Sequence, residues 1–429
     1  MKRLLLLALC AILSANADAR TLYVNAKRPN NSGNGLSAKK AKKTIQAAIN
    51  AAKKGDTILV YPGTYAQIQT NNKKITVKSV KGKLKTKIVA TKQCIALDLS
   101  GKGSKRDKET WIKGGGTSSK ITGFRCSPKN WRTAASPQYQ LAAVAAGGRV
   151  SNCSFENFAP VEDGIYEGYG VWSWTSVYFR TTAWDWISYA TGTSFSKCSF
   201  SGFHENASWY SQHYFTKCTF SNCLFKDNAR IDFDMSKLTD CSISRPQNGQ
   251  IGFYSSSLSR CKIASSGKAS EDGHAVVNGS KCVNCLFDKV SSLSFGGTSL
   301  DNCTVCKTTG FSSDNGTFRN TILWNNQSPT RQIYVQGSPT EHGWTTTGGE
   351  TIFDYKTAGS GNSFSNTFTD NRDPKFANPA KGDYRLKKGS PCINKGKLTK
   401  ALKKLVGKKD LAGKKRVKGK AIDRGCYEY

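Results

Sequence analysis

The chain has 429 residues, with 64 Lys and Arg against 29 Asp and Glu (net charge +35), 15 Cys and 40 Gly. Its length allows one large domain or two ordinary ones, and 10% aromatic residues set it apart from disordered chains. Size excludes a disulfide mini-scaffold, and the missing Gly period excludes a collagen-like chain; no apolar run is long enough for a membrane span.

Residues 1–19 read as a secretory signal. Lys2 and Arg3 form the charged head, Leu4 to Leu13 the apolar stretch, and Ala17 and Ala19 offer cleavage sites. Cys10 follows Leu9 rather than a small residue, so a lipoprotein site is not expected. Secretion is expected, which leaves 14 cysteines in a setting that permits disulfides. Residues 20–150 carry a net +23, residues 151–380 a net −2 and residues 381–429 a net +13. Cationic ends suit acidic partners, an acidic polysaccharide or an anionic cell surface; a lysine-rich surface also keeps an extracellular rod in solution. Nothing in the sequence reads as a nucleic-acid-binding module, so no specific nucleic-acid partner is expected. The expected state is a monomer.

Residues 44–54, TIQAAINAAKK, place Ile45, Ala48, Ile49 and Ala52 on one helical face, with Thr44 as a cap. Gly55-Asp56 ends that helix, and Thr57 to Tyr61 reads as a strand before the Pro62-Gly63 turn. An amphipathic helix of this kind caps the first layer of a repeat protein.

From 150 onward a short theme recurs: a polar residue, Cys, a small or polar residue, then a large apolar one. It occurs as Asn152-Cys-Ser-Phe155, Lys197-Cys-Ser-Phe200, Lys217-Cys-Thr-Phe220, Asn222-Cys-Leu-Phe225 and Asp240-Cys-Ser-Ile243. Further copies are Arg260-Cys-Lys-Ile263, Asn284-Cys-Leu-Phe287, Asn302-Cys-Thr-Val305 and Asn320-Thr-Ile-Leu323. Cysteines 198, 218, 241, 261, 282 and 303 are 20, 23, 20, 21 and 21 residues apart, and the 45 residues from Cys153 to Cys198 read as two such steps. A period near 21 built from short strands, with Cys and Phe on one strand face, predicts a parallel β-helix, an all-β solenoid with Cys and Phe in interior rows. Cys282-x-x-Cys285 and Cys303-x-x-Cys306 have the spacing of a four-thiolate zinc site, but the register makes them rungs of one ladder, either buried thiols or inter-coil disulfides.

The two ends carry a resemblance. Leu22-Tyr-Val-Asn25, Lys43-Thr-Ile-Gln-Ala-Ala48 and Gly55-Asp-Thr-Ile-Leu-Val-Tyr-Pro-Gly-Thr-Tyr65 resemble the start of pectate-lyase-like, right-handed parallel β-helix proteins, and Asn320 to Asn326 resembles their closing coil; the resemblance implies a right-handed parallel β-helix. Asp373-Pro-Lys-Phe, Gly382-Asp-Tyr-Arg-Leu386, Gly389-Ser-Pro-Cys-Ile-Asn-Lys-Gly396 and Asp423-Arg-Gly-Cys-Tyr-Glu428 resemble a choice-of-anchor Q domain. The division this implies is a signal at 1–19, an N-terminal cap at 20–65, β-helix coils at 66–330 and a basic module at 331–429. Cys392 and Cys426 stand where that pattern often has Ala, and a disulfide between them is expected. No sorting tail follows Tyr429, so free secretion or noncovalent surface attachment is expected.

The resemblance implies a secreted carbohydrate-binding or carbohydrate-active protein, a lyase or hydrolase of acidic polysaccharide, with Ca²⁺ as cofactor in the lyase case. The alternative is a non-enzymatic adhesion rod. Lyases of this fold use carboxylates with an Arg or Lys base, and hydrolases use grouped carboxylates. Candidate catalytic residues are Arg230, Asp232, Asp234, Asp163, Asp185 and His213. Asp232 and Asp234 are two apart and so share a strand face; as plain surface carboxylates they would simply balance Arg230. The aromatic cluster from Tyr166 to Tyr189, with Trp172, Trp174, Trp184 and Trp186, and the later Trp209 and Tyr210, offer flat rings for sugar faces. The other reading of these rings is an insertion packed against its own flank.

Overall fold

Three short strands make each coil. One turn runs through Lys237–Thr239, Ser242–Arg245 and Ile251–Tyr254, and the next begins at Ser257–Ser259. Each strand pairs in parallel, residue on residue, with its counterparts one coil away. Leu238 lies between Phe220 and Leu258, Ile243 between Phe225 and Ile263, and Phe253 between Phe233 and Val277. Among the described residues, repetition gives parallel sheets of thirteen, eleven and ten strands, here sheets 1, 2 and 3, visited in that order. The chain is a right-handed parallel β-helix, with the stacked coils that the period predicts and the hand that the resemblance implies. The computed structural model describes residues 19–71, 73–90, 94–99, 119–128, 142–157, 188–202, 213–228, 231–245, 251–265, 274–290, 292–308, 310–326, 360–369 and 373–429.

Alternation along each strand sends every second side chain inward. Where the inward residues are phenylalanines they stack along the axis: Phe155 on Phe200 (5.1 Å), Phe200 on Phe225 (4.6 Å), Phe195 on Phe220 (5.2 Å) and Phe233 on Phe253 (5.2 Å). Rings from different sheets meet edge to face, as Phe220 does with Phe225 and Phe225 with Phe233. Both arrangements suit the ring quadrupole, and each such pair adds about 0.5–1.5 kcal/mol beyond the area it buries.

The corners explain the recurring polar residue before Cys. Between sheets 1 and 2 the backbone turns through a left-handed residue: Asn152, Lys197, Asn222, Asp240, Arg260, Asn284, Asn302, Asn320 and Asn366 all have φ between 49° and 56°. Asn tolerates this region better than most side chains, which accounts for its frequency there. The next residue points inward and sets its side chain against the carbonyl two residues back, as Cys241 Sγ does to Thr239 O (3.3 Å) and Thr321 Oγ1 to Arg319 O (3.2 Å).

The strand register corrects the cysteine series. The corner row from sheet 1 to sheet 2 holds Cys153, Cys198, Cys223, Cys241, Cys261, Cys285 and Cys303, then Thr321 and Thr367. Cys218 belongs instead to the corner from sheet 3 to sheet 1, in the row of Ser236, Ser256, Ser280 and Thr298. Cys282 sits within a sheet 1 strand between Leu258 and Leu300, and Cys306 on the outward side of sheet 2 between Asp288 and Trp324. One sequence motif therefore serves two corners. Cys153 and Cys198 are also on neighbouring coils, since Phe155 pairs directly with Phe200; the extra residues form an insertion rather than a second coil.

The N-terminal helix is Ile45–Ala51, capped by Thr44, whose hydroxyl accepts from Ala47 N (3.2 Å). Ile45, Ala48 and Ile49 are buried over the first coils, and Lys73 Nζ donates to the carbonyls of Ile49, Asn50 and Ala52 at the C-terminal end of the helix. Stacking starts earlier and ends later than residues 66–330: Thr21–Val24 and Thr57–Val60 are the first strands of sheet 1, and Ser363–Ser365 is its last.

At the other end, residues 373–429 lie over the outer surfaces of sheets 1 and 2. Leu286, Cys306 and Ile322 face outward and are covered by Phe368, Phe376, Tyr384, Leu386, Cys392 and Cys426. Val283 is covered by Leu402, Val406 and Ile422. The left-handed asparagines at the corner complete the seam: Asn284 Nδ2 donates to Val406 O (2.8 Å), Asn302 Nδ2 to Asp423 O (3.0 Å) and Asn320 Nδ2 to Lys397 O (2.9 Å). The expected Cys392–Cys426 disulfide is corrected here, since both residues are thiols in this cluster. Their backbones seat them separately, Cys392 N–H on Ser390 Oγ (3.2 Å) and Cys426 N–H on Thr304 Oγ1 (3.1 Å).

Candidate functional site

From residue 120 to 326 two corners of the coil are short, and the third, from sheet 2 to sheet 3, absorbs the variation in length. The segment between Ser154–Glu156 and Ser188–Thr191 carries the aromatic cluster, and that between Ser199–Ser201 and His213–Thr216 carries Trp209 and Tyr210. Trp172, Trp174, Trp184, Trp186, Trp209, Tyr210, Asp163, Asp185 and Arg230 lie outside the described residues. The sheet 3 strands that follow these segments are the place where described residues meet the predicted site.

Ile231–Asp234 is the central strand there. Ile231 and Phe233 pack into the core, so Asp232 and Asp234 share the outward face, as their spacing predicts. Asp232 is nevertheless fully buried (0% exposed), while Asp234 is partly exposed. In register, Tyr214 and Gly252 flank Asp232, and Thr216 and Tyr254 flank Asp234. Gly252 makes the arrangement sterically allowed. A Cβ at that position would stand 2.1 Å from Asp232 Oδ1 and 2.4 Å from Tyr254 Cε2, so the carboxylate occupies the space the glycine leaves beside the Tyr254 ring.

Electrostatically, Asp234 is held above the ordinary carboxylate range, mainly by burial, against the opposing pull of the Met235 N–H and the Lys217 ammonium. A raised carboxyl next to a second carboxyl on one face is the setting in which acid and base roles separate. His213 does not join them in register: it pairs with Ile231, whereas Tyr214 pairs with Asp232.

Among the described residues no group of three or more His, Cys, Asp or Glu gathers to hold an ion. Two carboxylates from one strand fall short of the six to eight oxygens that Ca²⁺ takes, so no step is routed through Ca²⁺. The paired CxxC spacings are likewise dispersed, because Cys282, Cys285 and Cys306 occupy a strand, a corner and an outer face. The sequence did not single out Gly252 or Tyr254. Their signal is register, one coil beyond the two aspartates, which only strand pairing reveals.

No protein-family model matches the sequence, and no curated protein matches it. Among solved structures, the chain is similar to pectate lyase Pel9A (14% identity, TM-score 0.44, covering 96% of this chain and 97% of that one). It is also similar to XylC in complex with xylose (9% identity, TM-score 0.49, 95% and 98%) and to a rhamnogalacturonan lyase (12% identity, TM-score 0.43, 89% and 97%). The architecture itself rests on the strand pairing above.

Proposed function

We propose that this is a secreted carbohydrate-binding or carbohydrate-active protein whose target is an acidic polysaccharide and whose site is the outer face of sheet 3. The observation that carries the reading is the Asp232 carboxylate, seated in the gap over Gly252 beside Tyr254, with Asp234 on the same face. Two carboxyl groups with unequal environments are the equipment of acid/base attack on a glycosidic bond, and a tyrosine ring suits the C–H face of a sugar. The segments leading into this face carry most of the tryptophans of the chain.

The test is a screen of polygalacturonate, alginate and sulfated glycans, with and without added Ca²⁺, reading unsaturated-product absorbance and reducing ends. Turnover of one of them, lost by at least a hundredfold in Asp232→Asn with the fold intact, supports the reading. Turnover unchanged in Asp232→Asn and Asp234→Asn removes the site from sheet 3. A non-enzymatic rod is the second reading, favoured by the concentration of charge at the ends; binding without turnover on every glycan selects it.

A further inference from the structure

We propose that residues 395–420 form a docking surface for an extended acidic polysaccharide, distinct from the sheet 3 face. The proposal takes only the class of polyanion from the function proposed above. Eleven lysines fall in this stretch, and every one is exposed, among them Lys403, Lys404, Lys408, Lys409, Lys414 and Lys415. The one acid in the stretch, Asp410, is buried and already engaged: its carboxylate accepts from Lys414 N (2.7 Å) and Glu428 N (3.0 Å). The one arginine, Arg416, is also buried, donating to the carbonyls of Asp423 (3.2 Å) and Gly425 (2.6 Å). The stretch thus keeps its acid and its arginine inside and presents only ammonium groups outside.

Backbone geometry brings some of these ammonium groups together rather than apart. Lys409 and Lys415 pair across an antiparallel bridge, a juxtaposition of like charges that costs stability unless an anion lies between or beside them. The surface is also held in place. Asn284 and Asn320 bind the carbonyls of Val406 and Lys397, and Leu402 and Val406 pack on Val283, so a ligand meets a field that is already ordered.

The chemistry selects among polyanions. No aromatic residue lies between 395 and 420 to stack on bases, and the arginine that would grip phosphate in bidentate fashion is buried. The helix Lys400–Val406 has seven residues and one large exposed apolar side chain, Leu405, which is too little to lie in a membrane surface. Flexible point charges on lysine stems suit carboxylates or sulfates spaced along a sugar chain.

The experiment measures binding of fluorescent polygalacturonate to the full-length protein across a salt series, in an Asp232→Asn background so that turnover does not interfere. Lys403→Glu, Lys404→Glu, Lys408→Glu and Lys409→Glu together are expected to weaken binding at least tenfold and to flatten its salt dependence. A control of equal charge change, Lys39→Glu, Lys40→Glu, Lys53→Glu and Lys54→Glu, is expected to change it less than threefold. Matching four-Gln variants, checked by circular dichroism and thermal melting, separate charge from misfolding. Equal losses in the two sets, or none in either, overturn the proposal. So does stronger competition by single-stranded DNA or phosphatidylserine vesicles than by unlabelled polygalacturonate at equal charge. If no glycan is ever turned over but the module variants still lose binding, the docking surface stands while the enzymatic reading of sheet 3 fails.

Discussion

The two short corners of the coil share a backbone turn and differ in the atom that fills it. At the corner from sheet 3 to sheet 1, hydroxyls run up the axis, and each accepts the buried amide of the coil before it: Ser236 N donates to Ser256 Oγ, and Ser256 N to Ser280 Oγ, both at 3.0 Å. At the corner from sheet 1 to sheet 2 the filler is sulfur, and the corresponding contact, Cys285 N to Cys303 Sγ, is 3.4 Å. Where that row runs out of cysteine, Thr321 and Thr367 take over with the same carbonyl contacts. A corner thus needs a small side chain carrying one polar hydrogen. Oxygen satisfies the backbone better, whereas sulfur packs better beside phenylalanine. Burial pushes the Cys153 thiol up to about 11 and the Cys218 thiol up to about 12, so these two stay protonated at neutral pH.

The largest effect should come from the packing on which both corners lean. Phe220 stacks on Phe195 and meets Phe200, Phe215, Phe225 and Phe233 edge-on. Phe220→Ala should cost about 3–5 kcal/mol in denaturant unfolding; a loss below about 1 kcal/mol would place the ring outside the stack. Next, Ser256→Ala strips the Ser236 amide of its acceptor and should cost about 1–3 kcal/mol.

A pH dependence of stability is expected in the C-terminal module. There Glu428 is raised from 4.5 to about 7, first by burial and then by Asp423. The folded module therefore holds this proton more tightly than the unfolded chain does. Its stability should fall as pH rises from about 4.5 to about 7 and level off above. Hydrogen exchange of residues 373–429 at pH 5 and 8 measures this, and Glu428→Gln should abolish the difference. The smallest effect belongs to Cys261→Ser, under about 1 kcal/mol, because oxygen already serves that corner at Thr321. A cost as large as that of Ser256→Ala would erase the distinction between the corners.

Periodicity made the architecture legible. Cys and Phe two apart, a left-handed Asn before them and a repeat near 21 sufficed for the solenoid, and Thr44 with Ile45, Ala48 and Ile49 for its cap. The phase of each cysteine was not legible, because an identical motif such as Lys217-Cys-Thr-Phe220 closes a different corner from Asn222-Cys-Leu-Phe225. Nor was the 153-to-198 gap, where an insertion of nearly one coil in length mimics a coil. The shared face of Asp232 and Asp234 followed from strand parity. The burial of Asp232 did not, since it depends on Gly252 and Tyr254, twenty residues away along the chain and one rung away in space. Docking of the last residues on Asn284, Asn302 and Asn320 was equally hidden, as those asparagines look the same in sequence whether their amides face solvent or a neighbouring carbonyl.

The most direct test of the stacked-coil account is to count reactive thiols, using an alkylating reagent and peptide mass spectrometry without reductant, before and after unfolding. Cys153, Cys198, Cys223, Cys241, Cys261, Cys285 and Cys303 should all resist alkylation in the folded protein and all react once it is unfolded. Rapid alkylation of several of them in the folded state, or their absence as thiols after unfolding, would contradict a buried, unlinked ladder along the axis.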